Sequence, residues 1–318
     1  GKNPVIRFEN VNGSKLPQKS NLFGSYELLG LALGVDPGTP KSEILGRFRE
    51  RVQKPRAPVE IARENAPVKQ VVYKDGDIDL GKLPILQHAE MDSGKYITVG
   101  CLVIRDPDSG VLNAGIYRHM VQGKDRIGAM FNPAHHSGYI YRRCKELGKK
   151  MEAVLFLGHH PAAILGTLSR GPIDADEFEM MGALLDEPLA VVPAETVDLP
   201  VPAFAEIAIE GYLDPEDETN DGPFAEYTGF YGPAKDPVGL MKITAITMRS
   251  DAIYHGLDPT HPEHCLAGAL TFESLVFDCV KNLVPSVSAV YMPASGTAHF
   301  TAYTVSYTHL TLPTNREV

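Results

Sequence analysis

Cysteine and tryptophan are scarce in this sequence. Tryptophan is absent, and the 318 residues include only four cysteines. They are Cys101, Cys144, Cys265 and Cys279, and no two of them have the CxxC spacing of zinc or redox sites. Cys101 and Cys279 lie in apolar runs, where a free cysteine behaves as a small core residue. We therefore expect no disulfide framework and no zinc site, as is usual in a reducing compartment.

Long hydrophobic runs and clustered positive charge are also missing. No stretch reaches the roughly 18–20 apolar residues of a membrane span. The formal net charge is −10, from 30 basic and 40 acidic residues. Because lysine and arginine are scattered, we expect no nucleic-acid partner. The first residues lack the charged and then apolar pattern of an export signal, so the expected location is the cytoplasm.

The first part of the chain mixes short helices with loops. Segments 26–33 and 42–52 have helical apolar spacing, and Ser42 is a candidate N-cap for the second helix. Residues 68–74 have the composition of a strand. We assign residues 1–92 to an N-terminal α/β domain.

Strands dominate the middle of the chain. The β-rich runs, separated by turn signals, are ITVGCLVIRD, VLNAGIYRHMV, AVLFLG, PLAVVPAETV, FAEIAIEGYL and LMKITAITMR. Helices are predicted at 137–150 and 174–185. Many strands with few helices favour a barrel or a strongly curved antiparallel sheet over residues 93–256. The expected fold class is therefore α+β.

The last part of the chain changes again. A helix is predicted at 270–283, followed by the strands SVSAVYMP and AHFTAYTV, so residues 257–305 read as the start of a third, α/β domain. Residues 306–318 do not continue this pattern and are similar to translated sequencing-adapter reads. We interpret them as a non-native tail. The chain also starts without methionine, and we expect it to be a fragment.

Polar residues interrupt the apolar strand NAGIYRHM at 113–120. Asn113 and Arg118 are an odd number of residues apart, so a straight strand would turn them to opposite faces unless Gly115 bends it. A half-buried arginine needs a carboxylate partner. Arg118 is therefore either a surface arginine or the partner of a carboxylate elsewhere in the chain.

Histidines open the next helix, in FNPAHHSGYIY at 131–141. A helix N-terminus disfavours a positively charged imidazole, and the neutral form is the one that binds metal. His135 and His136 are thus either metal ligands or capping and packing residues. We interpret the other histidine pair, at 159–160, as structural.

A polar loop and an acidic helix start follow in GTLSRGPIDADEFEMMG at 166–182. Hydroxyl and free backbone N–H groups in such a loop suit phosphate, although the P-loop spacing is absent. Acids in a first helical turn are mostly solvated caps, but one of them can face inward and bind metal. An asparagine, a histidine and a glutamate from three segments would suit Mn²⁺ or Mg²⁺.

Two carboxylates bracket a bend in DGPFAEYTGFYG at 221–232. The Gly-Pro pair can turn Asp221 and Glu226 toward one cavity. Phe224 and Tyr227 would line that cavity and keep it dry. Two carboxyl groups in such surroundings suit acid–base catalysis.

These motifs occur in one order with near-constant spacing: NAGIYRHMV, PAHHSG, HPAAILGTLS, the acidic helix ending in MGAL, and DGPFAEYTGFYG. Together they resemble the UbiD-like decarboxylases, which use prenylated FMN, over roughly residues 68–305. The resemblance implies a split β-barrel middle domain, flavin reductase-like, that holds the flavin with Mn²⁺ and K⁺ at its phosphate. It also implies a flavin prenyltransferase that supplies the cofactor, and a homodimer or homohexamer for the full-length protein.

The resemblance also assigns roles to residues by motif position. It implies metal ligands at Asn113, His135 and Glu177. It implies catalytic residues at Glu226, Arg118 and Asp221, with Glu226 as the proton donor. Besides the metal ligands, the implied cofactor contacts are Ile116, Tyr117, Arg118, Met130, Asn132, Ala134, Thr167, Leu168 and Ser169.

The implied reaction is the reversible, non-oxidative decarboxylation of an aromatic or α,β-unsaturated carboxylic acid. One departure from the family is Asp221, where glutamate is usual, and its shorter side chain is expected to reach Arg118 less well. The alternatives are a reductase-like or hydrolase-type barrel without prenylated flavin, and a non-catalytic flavin-binding scaffold. The identity of the acid and the direction of the reaction stay open.

Overall fold

The computed structural model, which describes residues 3–11 and 13–307, has a mixed α+β fold. Its helices are α1 (Tyr26–Ala32), α2 (Lys41–Val52), α3 (His136–Glu146), α4 (Pro161–Gly166), α5 (Glu177–Leu185) and α6 (Pro262–Leu283). Its strands are β1 (Ile6–Phe8), β2 (Gln18–Ser20), β3 (Val59–Glu60), β4 (Val71–Lys74), β5 (Tyr96–Arg105), β6 (Leu112–Met120), β7 (Arg126–Ala129), β8 (Met151–Leu157), β9 (Ala190–Pro193), β10 (Pro200–Pro202), β11 (Ile207–Asp221), β12 (Phe224–Ala225), β13 (Tyr231–Gly232), β14 (Lys235–Met248), β15 (Tyr254–His255), β16 (Val287–Tyr291) and β17 (Tyr303–Ser306). None of these described helices combines the length and the apolar character that crossing a membrane requires.

A seven-stranded antiparallel sheet forms the centre of the molecule. Its strand order is β4-β14-β11-β8-β5-β6, and β7 pairs with β14 beside this path. Smaller sheets have the orders β1-β2-β15, β10-β9-β3, β12-β13 and β16-β17. The prediction of an α+β fold is confirmed, although the hydrogen-bonded path of the described strands does not close into a barrel.

β5 is buried along nearly its whole length because it contributes to two cores. Side chains alternate between the faces of a strand, so Cys101 and Val103 join one hydrophobic cluster while Leu102 and Ile104 join another. The first cluster packs the sheet against α1, α2, α4 and α5. The second packs the strands of the sheet against α3 and the segment at 78–85. Both faces of the sheet are therefore covered, and β6 is paired with a strand that is buried on both sides.

The predicted helices are present with shifted ends. Ser42 is not the N-cap of α2, because the helix already begins at Lys41 and its N-cap residue, Pro40, offers no side-chain hydrogen bond. α6 begins well before residue 270, where His261 caps it by accepting from the Glu263 N–H at 3.2 Å. Within the predicted strand 68–74, only β4 is extended, since residues 67–69 form a 3-10 turn.

The predicted non-native tail begins inside the described part of the chain. Ser306 ends β17 and lies opposite Val287, and the Tyr307 N–H donates to the Ser286 carbonyl at 3.1 Å. The remaining tail, 308–318, lies outside the described residues. The domain boundaries placed after residues 92, 256 and 305 stay predictions.

A buried ion pair ties the N-terminal segment to the sheet. Lys69 Nζ lies 3.2 Å from Glu210 Oε1, and both side chains are buried. The other Glu210 oxygen accepts from the N–H groups of Glu195 and Thr196 at 2.7 and 2.9 Å. Glu195 Oε1 also lies 3.4 Å from Lys69 Nζ. Removing the Glu210 charge therefore leaves the buried ammonium with one carboxylate partner, and the Glu195 and Thr196 N–H groups without a charged acceptor.

We expect Glu210→Gln to lower the free energy of unfolding by about 1.5–3 kcal/mol, measured by urea denaturation. Glu60→Gln, at an exposed position of β3, is the matched control and is expected to change that free energy by about 0.5 kcal/mol or less. A loss at position 210 no larger than the loss at position 60 would contradict the structural role of the pair.

β6 also buries a neutral imidazole. His119 Nδ1 lies 3.2 Å from the Gly128 carbonyl, and complete burial lowers the pKa of His119 to about 4. An unfolded histidine titrates near 6.5, so between about pH 6.5 and 4 the unfolded chain binds a proton that the folded chain excludes. His119 therefore contributes stability above pH 6.5 that is lost as the pH falls.

We expect His119→Gln to reduce the decrease in the free energy of unfolding that accompanies a fall in pH. The slope of the unfolding free energy between pH 6.5 and 5 should decrease by about 1.4 kcal/mol per pH unit. Urea denaturation at several pH values measures this slope. Parallel pH profiles for the variant and the parent chain would rule out the linkage.

Candidate active site

β6 carries polar residues of the predicted site near both of its ends. Asn113 lies at the start of the strand and Arg118 near its end. At about 3.3 Å per residue, their Cα atoms are roughly 16 Å apart along the strand. β5 pairs with β6 from Leu112 to Met120, with one irregularity in the register. The strand thus fixes the separation between two clusters of polar side chains.

The first cluster joins β6 to the start of α5. Asn113 Nδ2 lies 3.3 Å from each carboxylate oxygen of Glu177, and the Ala114 N–H donates to Glu177 Oε2 at 2.9 Å. Asp176 caps α5 by accepting from the Phe178 N–H, which leaves Glu177 as the acid that faces inward. Asn113 Oδ1 is buried and has no hydrogen-bond partner among the described residues.

The Glu177 carboxyl group is shifted toward its neutral form. Burial raises the pKa of Glu177 to about 7, although the hydrogen bonds from Ala114 and Asn113 act in the opposite direction. A nearby cation favours the charged form of a buried carboxylate. The site would therefore bind a positive ion and regain the carboxylate charge at the same time.

His135 completes the trio that the motifs predicted. It is the N-cap residue of α3 and lines the same pocket as Asn113 and Glu177. Burial, assisted by the Arg170 guanidinium, lowers the pKa of His135, so its metal-binding neutral form is favoured. No three His, Cys, Asp or Glu side chains in the described part of the chain form a metal-binding group. One free amide oxygen, one imidazole and one carboxylate nevertheless fit a divalent cation such as Mn²⁺.

The pocket around this trio has a volume of about 240 Å³. Of the residues expected to contact the cofactor, its lining includes Asn113, Ile116, Tyr117, Ala134, His135, Thr167, Leu168, Ser169 and Glu177. Met130 and Asn132 are not in this lining, and Asn132 Oδ1 accepts from the Ala134 N–H at 3.0 Å instead. The lining also includes His136 and Arg170.

The second cluster is centred on the Arg118 guanidinium. Its Nε and Nη2 donate to Asp221 Oδ2 at 2.9 and 2.5 Å, and its Nη1 pairs with Glu226. The guanidinium also lies over the Phe224 ring, with Cζ 4.9 Å from the ring centroid. Arg118 is therefore the partner of two carboxylates and not a surface arginine.

The two carboxylates differ in their access to solvent. The Asp221 side chain is 1% exposed, whereas that of Glu226 is 30% exposed. The expected loss of reach at Asp221 is not found, because its short side chain contacts two nitrogen atoms of Arg118. Asp221 is thus buried against the arginine, and Glu226 is the carboxylate of the pair that solvent reaches.

The start of β5 and the segment before it hold the bend between the two carboxylates. Asp92 Oδ1 accepts from the Ala225 N–H at 2.9 Å, and the Tyr96 hydroxyl accepts from the Gly222 N–H at 3.0 Å. The Tyr96 and Phe224 rings pack with centroids 4.4 Å apart. Gly222 has a φ of +81°, which favours glycine at this position.

Three residues near the site were not predicted. Asp92 lies in the stretch MDSG, whose composition signals only a turn. Tyr96 reads as an ordinary core aromatic at the start of a strand. Arg170 directly follows the polar loop that was predicted to suit phosphate. This position could have identified it as a residue of the site.

The two clusters do not share one pocket. Arg118, Asp221 and Glu226 are absent from the lining of the pocket around Asn113. Ile116 and Tyr117 belong to that lining and precede Arg118 on β6. The clusters are therefore consecutive along one strand, joined by residues that the motifs assign to cofactor contact.

Known proteins resemble this chain over most of its length. The family model UbiD, described as the 3-octaprenyl-4-hydroxybenzoate carboxy-lyase Rift-related domain, matches residues 59–262. An anhydromevalonate phosphate decarboxylase of Methanosarcina mazei is 36% identical over 302 residues, which cover 95% of this chain and 67% of the relative. The protein of the same name from Methanothermobacter thermautotrophicus is 34% identical over 296 residues, covering 92% and 66%. The chain thus spans about two thirds of the length of these curated relatives.

A solved structure gives the same result. An evolved dimeric form of the UbiD-class enzyme HmfF from Pelotomaculum thermopropionicum, in complex with prFMN, matches with a TM-score of 0.89 and 37% identity. The match covers 94% of this chain and 68% of that one. The segment matched by the family model includes both polar clusters and more than half of the sequence. The chain therefore belongs to the UbiD family.

Proposed function

We propose that this chain forms the prenylated-FMN site of a decarboxylase that acts reversibly and non-oxidatively on an aromatic or α,β-unsaturated carboxylic acid. The observation that carries the proposal is the pairing of Arg118 with both Asp221 and Glu226, on the strand that also carries Asn113. The proposed cation site at Asn113 and the proposed proton donor held by Arg118 then lie near opposite ends of β6. Decarboxylases among the relatives and prFMN in a structural neighbour support the assignment.

The residues of the first pocket fit the phosphate end of the cofactor. Asn113, His135 and Glu177 would hold Mn²⁺ there. In the loop at 167–169, Thr167 would supply its hydroxyl group, and Leu168 and Ser169 their backbone groups, to the phosphate and to K⁺. Ile116 and Tyr117 would contact the flavin. When bound, prenylated FMN supplies the electron sink for the electron pair released as CO₂ leaves.

Arg118 would act as an orienting group for the reacting end of the site. Asp221 is buried and engages two nitrogen atoms of the guanidinium, so the arginine has little freedom to rotate. The third nitrogen holds Glu226. The arginine would therefore contact the cofactor and keep the proton donor in one position.

Glu226 would deliver a proton to the carbon that has lost CO₂. This proton replaces the carboxylate on the product, and the glutamate recovers it from solvent, which its partly exposed side chain reaches. In the carboxylation direction the same group would accept the proton. Either direction needs one exchangeable acid, and Glu226 is the accessible carboxylate of the two.

We extend the proposal to the family's architecture and assembly. β7 pairs with β14, and an isolated bridge joins Val121, just after β6, to Ile127 of β7. These contacts support a split β-barrel around the flavin. A flavin prenyltransferase as supplier of the cofactor, a homodimer or homohexamer, and a cytoplasmic location belong to the same proposal.

Reconstitution tests the proposed function directly. A protein containing this chain is co-expressed with a flavin prenyltransferase, and the bound cofactor is identified by mass and UV-visible absorption. A panel of aromatic and acrylic acids is then assayed for CO₂ release. We expect the mass of prenylated FMN and CO₂ from at least one acid. Unmodified flavin together with no CO₂ from any acid would instead favour a reductase-like protein.

A further inference from the structure

A second cavity adjoins the pocket around Asn113. It has a volume of about 260 Å³ and is lined by residues of α2, α5, α6 and the loop before α5. Ser169, Arg170, Gly171 and Glu177 line both cavities. The second cavity is therefore a neighbour of the cofactor pocket, and the motifs gave it no role.

Buried hydroxyl groups face this second cavity without partners. Thr271 of α6 is 5% exposed, and its Oγ1 has no hydrogen-bond partner in the described part of the chain. The buried Ser169 Oγ is in the same situation. A buried polar group without a partner is costly unless a ligand or water satisfies it. Since both residues line the cavity, both hydroxyl groups can serve a polar ligand there.

Arg170 provides positive charge to the same cavity. Its guanidinium forms no salt bridge with a described residue and lies over the Phe272 ring, with Cζ 4.5 Å from the centroid. Stacking on a ring leaves the edge of the guanidinium available for paired hydrogen bonds to an anion. The acids of the lining do not neutralise it, because Asp278 pairs with Arg49 and Glu177 is engaged by Asn113.

An aromatic row connects this arginine to the proposed proton donor. The Phe272 ring lies 4.4 Å from the His299 ring, and His299 lies 5.1 Å from Tyr227, centroid to centroid. Tyr227 directly follows Glu226 in the chain. The row of rings thus runs from Arg170 to the residue that follows Glu226.

We propose that Arg170, Thr271 and Ser169 bind a phosphoryl group in the second cavity. An arginine fork with hydroxyl donors matches the geometry and charge of phosphate oxygens. The phosphoryl group can come from a phosphorylated carboxylic acid substrate or from the flavin cofactor. The substrate source rests on the proposed decarboxylase function, whereas the phosphoryl chemistry of the cavity does not.

Calorimetric titration with inorganic phosphate tests the proposal on the flavin-loaded protein. Arg170→Gln and Thr271→Val remove the charge and one hydroxyl group with little change in volume. Arg142→Gln is the matched control, because that guanidinium also lies over a ring, that of Tyr139. We expect the loaded parent protein to bind phosphate. Both test variants should weaken this binding by roughly tenfold or more, and the control should not.

A parallel titration of the cofactor-free protein with FMN distinguishes the two sources. Unchanged FMN affinity in the test variants assigns the cavity to a substrate phosphoryl group. If the loaded parent protein binds no phosphate and the variants lose FMN affinity tenfold, the cavity serves the cofactor. If the variants at 170 and 271 match the control in both titrations, the proposal is overturned. Neither titration requires turnover, so the result is independent of whether the decarboxylase assignment survives.

Discussion

Glu226→Gln should remove decarboxylation while the flavin stays bound. Glutamine keeps the size and the hydrogen-bonding capacity toward Arg118 but cannot donate a carboxylic proton. General acid catalysis contributes roughly 10²–10⁴-fold to rates, so the turnover number should fall by that factor. CO₂ release and H/D exchange at the product carbon are the measurements, and flavin absorbance at unchanged protein concentration confirms occupancy.

Two further variants make this result specific. Glu216→Gln changes an exposed acid of β11 and should keep the parent rate. Asp221→Asn should retain Glu226 but loosen the arginine, which predicts an intermediate loss of turnover. Parent rates of decarboxylation or exchange in Glu226→Gln would show that another group delivers the proton.

Asn113→Ala and His135→Ala should lose both metal and cofactor. Each change removes a donor of the proposed cation site, and loss of even an outer partner of a metal ligand costs roughly 10–100-fold in affinity. Loss of a direct ligand should exceed that range. Manganese content per chain, measured by elemental analysis, and flavin content, measured by absorbance, should fall together in both variants.

The control for this pair is Asn65→Ala, at an exposed asparagine of a 3-10 turn. It should keep the metal and flavin content of the parent protein. Full occupancy of both in Asn113→Ala and His135→Ala would refute the ligand set. Loss of metal with the flavin retained would show that the cofactor is held mainly by the loop at 167–169.

Sequence patterns located the strands and the polar clusters because each has a local signature. Alternating apolar residues marked β5, β6 and β11, and the acid at the start of α5 was recognisable as a candidate ligand. Which first-turn acid points inward depends on packing, however. Asp176 takes the capping role and leaves Glu177 to the pocket, an outcome that only the contact with β6 decides.

Other features depend on contacts between distant segments and left no local signal. Asp92 accepts a hydrogen bond from the Ala225 N–H, although the two residues are 133 positions apart in the chain. The reach of Asp221 to Arg118 depends on where β11 ends relative to β6, so side-chain length alone misled the prediction. The sequence analysis placed the start of this helix at residue 270, whereas α6 begins at Pro262, and proline is well tolerated in a first turn.

Because both clusters include a residue of β6, this strand sets the distance between the proposed ion site and the acid network. A strand can be lengthened only in whole residues, each adding about 3.3 Å and each turning all later side chains to the opposite face. One insertion between Asn113 and Arg118 would therefore misplace the ion and the acid network at once. Attempts to change the carboxylic acid that is accepted should therefore leave these positions unchanged. Substitutions in α6 and the β12–β13 hairpin can change the shape of the site without changing the spacing along β6.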